Sequence, residues 1–154
     1  MAHVRARVTP EEEDLARSVL PSDAARLFET MPVADRRHAL DVSGRLLAVG
    51  VDDPDVLCAA LLHDAAKGHR MRLSHRVAGV LLEAVAPALL RRLASPDHGS
   101  WRHGFHLYLH HAELSAEMAM AAGCGPRTAV FIRGAGAGDD ARLQRALTEA
   151  DDAS

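Results

Sequence analysis

No stretch of this 154-residue chain alternates apolar and polar residues with a period of two, and β-branched residues are sparse. A half-buried strand needs that alternation, so the chain has little from which to build a sheet. What recurs instead is the punctuation of helices. Thr9-Pro10-Glu11-Glu12 supplies an N-cap, a proline at the first helical position and a capping-box glutamate, opening a helix to about residue 20. Ser22 caps a second, short helix that ends near residue 29, and a third spans about 34–49 and stops at Gly50. Asp53-Pro54 starts a fourth, which runs to Lys67-Gly68. Ser74 caps a fifth, bent or broken at Pro87 and continuing to about residue 93. Residues 95–108, rich in Gly, Pro and His, read as a loop-like insert, and helices follow over about 112–122, 126–133 and 139–153. The expected fold is all-α: one compact bundle of about seven or eight helices, with residues 1–30 as a helical extension packed on a 31–154 core.

Helical phase then places the polar residues. In the third helix His38, Val42, Leu46 and Val49 fall on one stripe, which puts His38 on the apolar face. In the fourth, Val56, Ala59, Ala60, His63, Asp64 and Lys67 share a broad face, bringing a histidine, a carboxylate and an ammonium into one neighbourhood. In the last, Leu143, Leu147 and Asp151 align at four-residue spacing, whereas Asp152 falls on the polar side with Thr148. Another stripe runs His111, Leu114, Met118, Ala121. A lone histidine on an apolar face is more often a hydrogen-bonded core residue than a ligand. Two carboxylates on such faces are harder to dismiss, because a buried carboxylate needs a cation or several donors. His38, His63, Asp64 and Asp151 together are a sufficient ligand set for a divalent transition metal, with positions left for water and substrate. That set points to a metal-dependent hydrolase.

Charge and composition narrow the partners. A net charge of −3 provides no basic field to recruit a nucleic-acid duplex. The longest apolar stretch, residues 77–90, is interrupted by Glu83 and Pro87 and is too short to span a bilayer; it reads as core or as a dimer face, leaving monomer and homodimer both open. The N-terminal residues lack an apolar signal-peptide region, and Cys58 and Cys124 do not make a disulfide framework, so a cytoplasmic protein is expected. Among seventeen arginines the chain has one lysine, Lys67, three residues after Asp64. A compact ammonium approaches a phosphate in a way a planar guanidinium does not. Arg36, Arg37 and Arg70 are further candidates for phosphate contacts, with exposed helix-end charges as the equal alternative. Trp101, Phe105 and Tyr108, three of the five aromatics, lie in the insert, where they either stack on a base or pin the insert to the core.

The segments RRHALDVSGRLLAVG, DPDVLCAALLHDAAKG, HHAELSAEMAMAAG and LTEADDAS, taken in this order, resemble the HD-domain superfamily of metal-dependent phosphohydrolases over residues 31–154. The resemblance implies that His38, His63, Asp64 and Asp151 ligate the metal, that Asp64 also accepts a proton from the attacking water, and that Lys67 contacts the substrate phosphate. His111 stands where members with two ions supply a ligand to the second. Those members carry a further histidine where this chain has Ala135, so one firmly held ion is expected rather than two. Imidazole ligands favour Mn, Fe, Ni or Zn over Mg. The implied substrate is a small phosphorylated compound, nucleotide-like in class. The alternative is a weakened module that binds a nucleotide or metal without turnover.

Overall fold

A computed structural model describes residues 7–68, 71 and 73–154. Among the described residues there are nine α-helices and no strand: α1 Pro10–Val19, α2 Ser22–Glu29, α3 Val33–Ala48, α4 Pro54–Leu62, α5 Leu73–Val85, α6 Pro87–Leu93, α7 His103–Ala121, α8 Pro126–Ile132 and α9 Ala141–Asp152, the last entered through a 3-10 turn at Gly138–Asp140. The count exceeds seven or eight because Pro87 divides the fifth segment: Ala86 takes an extended φ of −153°, and α6 begins afresh with the proline at its start.

The local signals act as their chemistry requires. Thr9 Oγ1 accepts from the Glu12 amide and Glu12 Oε2 accepts from the Thr9 amide at 2.9 Å, closing the capping box of α1. Gly50 ends α3 with φ +79°, where a Cβ would be strained. Asp53 caps α4 by accepting from the Asp55 and Val56 amides, and its carboxylate also receives Arg127 from α8. Ser22 differs from expectation: it is the first helical residue of α2, and no side chain caps that end.

The fold is organised around α4. Every residue from Val56 to Leu62 is buried, so this helix is apolar on all sides rather than on one face. It packs against α1, α2, α3, α7, α8 and α9. Helices α1 and α2 belong to the same core, contributing Ala16, Leu20, Ala24 and the fully buried Phe28. Helices α5 and α6 pack against α7. There Gly79 and Gly104 permit close approach, since a Cβ at Gly104 would lie 2.5 Å from the His75 ring and one at Gly79 would lie 2.8 Å from the Tyr108 ring. The outer face of α5 (Val77, Val80, Leu81 and Val85) is exposed and not core. No helix among the described residues is long and apolar enough to cross a membrane.

Two element boundaries move relative to expectation, and both matter for the site. Helix α7 starts at His103, so the insert shortens, and His103 and His106 sit on a helix rather than in a loop. The fourth helix ends at Leu62, before His63 and Asp64, instead of running to Lys67. The cause is a serine on another helix. The Ala66 amide, which would close an α-helical bond to Leu62, donates instead to Ser115 Oγ at 3.0 Å. The Leu62 carbonyl then receives the Ala65 amide, and the Asp64 carbonyl receives Lys67, both at 3.0 Å. These tighter turns run out from α4 and carry both metal-ligand candidates. Ser115 is wholly buried, so Ser115→Ala would strand the Ala66 amide. The expected cost is about 1–3 kcal/mol, read as a lower melting temperature; an unchanged melting temperature would show that Ser115 does not set the turn.

Candidate metal centre

The turns after α4 point His63 and Asp64 at α3 and α9. His63 Nδ1 donates to the Ala60 carbonyl at 2.9 Å. That bond fixes the tautomer, so the neutral ring presents the lone pair of Nε2. Nε2 lies 3.3 Å from Asp151 Oδ1 and 3.6 Å from Asp64 Oδ1. His38, from α3, donates Nε2 to Asp151 Oδ1 at 2.8 Å, and its ring meets His63 edge to face with centroids 5.3 Å apart. One donor atom each from His38, His63 and Asp64 lies within 4.8 Å of the others. The four ligand candidates of the sequence therefore converge, although their positions span residues 38–151.

Burial grades across the cluster. The Asp64 side chain is 2% exposed, that of His63 14%, and that of Asp151 43%. Asp64 is the innermost group and Asp151 forms the rim, so helical phase correctly preferred Asp151 over the exposed Asp152. His63 Nε2 and Asp64 Oδ1 are buried without a hydrogen-bond partner. Lys67 Nζ lies 2.5 Å from Asp64 Oδ1 as an ion pair not aligned as a hydrogen bond. Two buried polar atoms 3.6 Å apart, neither with a hydrogen-bond partner, form a polar site that a proton on His63 or a bound cation would satisfy. The residues present fit a divalent metal.

The electrostatics agree. Burial opposes protonation of His63, but the Asp151 and Asp64 carboxylates outweigh it and hold the imidazole pKa above its ordinary value. Burial would raise the Asp64 pKa, yet His63 and Lys67 keep the carboxyl below the usual range. The hydrogen bond from His38, then the contact with His63, hold Asp151 well below the carboxylate range. His111 resembles His63 in design: Nδ1 donates to the Tyr108 carbonyl at 3.0 Å. Its pKa is lowered by burial, with Lys67 adding to the effect.

A cavity of about 150 Å3 lies against this cluster, lined by His63, His111 and Asp151 together with Phe131, Gln144 and Thr148. Gln144 and Thr148 were missed from the sequence, where Thr148 fell on the solvated side. The signal was present, since Gln144, Leu147, Thr148 and Asp151 recur at i, i+3, i+4 and i+7. Ala135 is exposed and does not line the cavity.

Other expected contacts are spent elsewhere. Arg36 pairs with Glu13 at 2.7 Å and Arg37 with Glu12 at 2.5 Å, so both tie α3 to the acidic first turn of α1, and neither lines the cavity. They are corrected from phosphate contacts to bonds between helices. Arg70 lies outside the described residues. Trp101, Phe105 and His75 form a mutual ring cluster, and Tyr108 donates to Glu83 at 2.6 Å, so the aromatics pin α7 to α5. No protein-family model, curated protein or solved structure matches the chain.

The raised His63 pKa sets a pH dependence. In metal-free protein its contribution is fully present below about pH 6.5, the unfolded value, and is lost as pH rises through the folded value. The depressed Asp151 contributes above about pH 3.9 and is lost as pH falls through its folded value. His111, with a lowered pKa, acts in the opposite sense to His63, so the quantity to follow is the stabilisation added by metal. Ligation needs a neutral imidazole. The gain in melting temperature from Mn2+ over chelator should therefore grow as pH rises from 5.5 to 8, around His63's ordinary value of about 6.5. A gain that shrinks with pH would contradict ligation by His63.

Proposed function

We propose that the chain is a metal-dependent phosphohydrolase of the HD type, acting on a small phosphorylated compound. The observation that carries this reading is the pair of buried atoms without a hydrogen-bond partner, His63 Nε2 and Asp64 Oδ1, inside a convergent set of two imidazoles and two carboxylates. The donor set suits Mn, Fe, Ni or Zn better than Mg, and one firmly held ion better than two, because His111 faces the cavity without a second histidine at Ala135. When bound, such an ion supplies a more acidic water and polarises a phosphate oxygen.

The chain's own groups do the rest. His63 and His111 are held by carbonyls at Nδ1, so their Nε2 atoms stay oriented without side-chain rearrangement. Asp64, kept ionised by its neighbours, accepts the proton of the attacking water. The Lys67 ammonium beside it balances the charge on the phosphate oxygens as the bond to the leaving group breaks. The cavity of about 150 Å3 beside Phe131 and Leu147 has room for a phosphate-sized group.

The alternative, binding without turnover, is favoured by the missing donor at Ala135. Metal content and turnover separate the two. Wild-type protein should retain about one equivalent of transition metal and hydrolyse p-nitrophenyl phosphate, its bis-ester or nucleotides in Mn2+. Asp64→Ala should lose the ion and lower the rate about a hundredfold or more. Lys67→Ala should keep the ion and lose rate. Tightly held metal with no turnover would establish the binding module, and absence of metal after reconstitution would overturn both readings.

A further inference from the structure

Four imidazoles follow one another from the turn before α7 along the start of that helix. Ring centroids lie 4.3 Å apart between His98 and His103, 5.6 Å between His103 and His106, and 4.6 Å between His106 and His110. His103, His106 and His110 recur at i, i+3 and i+7, so they share one stripe, with His110 exposed and His106 half-buried. His111, one residue on, is turned about 100° away and lines the cavity beside Phe131. The rings differ in what they already hold. His103 Nδ1 donates to the Ser95 carbonyl and His111 Nδ1 to the Tyr108 carbonyl. His106 and His110 have no hydrogen-bond partner among the described residues, and their ring contacts are with other imidazoles. Burial, then the proximity of His110 and His103, lowers the His106 pKa, so this ring is neutral and has a lone pair to give near pH 7.

We infer that His106 and His110 form a second, exchangeable metal site, a two-imidazole chelate for Cu2+, Ni2+ or Zn2+ with water in the remaining positions. The inference is independent of the hydrolase reading. Histidines four residues apart on a helix present their rings on one face, at a spacing that a single transition ion bridges. Among the described residues, three donor atoms come within 4.8 Å of one another at His38, His63 and Asp64 and not along this row, so the row offers two protein ligands. Two neutral nitrogens with no carboxylate select against Mg2+ and Mn2+, which favour oxygen, and toward Cu2+ and Ni2+. They also hold an ion more loosely than a set of two imidazoles and two carboxylates, so this one exchanges on dialysis. Bound there, it ties together the first two turns of α7, whose N-terminus has no side-chain cap. Those turns carry Phe105, which meets His75, and Tyr108, which donates to Glu83, so the ion reinforces the part of α7 on which α5 packs.

Calorimetry with Ni2+ on the full chain, carrying no affinity tag, tests the site. Beyond any ion the cluster retains, the protein should bind one further Ni2+ saturably, and Cu2+ more tightly still. His106→Gln and His110→Gln should each weaken that further ion about tenfold or more, since losing a ligand costs at least as much as losing a group that orients one. The exposed His110 keeps the test open if the variant at the half-buried His106 fails to fold. Ni2+ should also raise the melting temperature of the wild type by more than that of His110→Gln. Asp64→Ala, which removes a ligand candidate of the cluster, should leave the exchangeable ion in place. Unchanged Ni2+ affinity in both histidine variants, or loss of the exchangeable ion in folded Asp64→Ala, would overturn the site. Exchangeable Ni2+ with these variant effects, but no firmly held ion in the wild type, would uphold the row and sink the cluster. A firmly held ion with no exchangeable one would do the reverse.

Discussion

A carboxylate buried at the end of a helix that is apolar on every side must be compensated from outside that helix. Asp64 is in that position, 2% exposed and directly beyond the all-buried run from Val56 to Leu62. Lys67 provides one positive charge, and His63 provides a second when protonated. Neither aligns as a hydrogen bond with Oδ1. The surrounding architecture serves this constraint. Ser115 ends the helix in time to turn Asp64 and His63 toward α3 and α9, and α9 supplies the rim carboxylate that holds His38.

Without a metal, protons hold the cluster together. His38 and His63 both lean on Asp151, and the pKa directions of His63 and Asp151 are those of an ion pair. A metal held here would compete with protons for the same atoms, so any stabilisation it gave would depend on pH. Two cavities flank the cluster: His63, His111 and Asp151 help line the smaller, and the larger is bordered by Lys67, His98 and the α7 residues His103, Leu107, Leu114 and Met118.

Much of this was legible in the sequence because it is local. The capping box at Thr9, the αL stop at Gly50 and the break at Pro87 depend on neighbours within a few residues. The choice of Asp151 over Asp152 needed only helical phase. What was hidden is long-range. The end of α4 is set by Ser115, forty-nine residues from the Ala66 amide it accepts, and Arg36 and Arg37 are captured by glutamates twenty-three and twenty-five residues earlier. A serine inside the apolar run of α7 was the single clue to the first. The early start of α7 was obscured because Gly104 and a row of histidines read as loop. In the folded chain Gly104 is where His75 packs against the helix, a contact that favours glycine for steric reasons.

The proposed ligands His38, His63, Asp64 and Asp151 would together hold one transition-metal ion. The most direct test is anomalous scattering at the manganese edge from crystals grown with Mn2+. The expected result is a single strong peak among His38 Nε2, His63 Nε2 and the two carboxylates, absent in Asp64→Ala. A peak only on the histidine row of α7, or none at all, would contradict it.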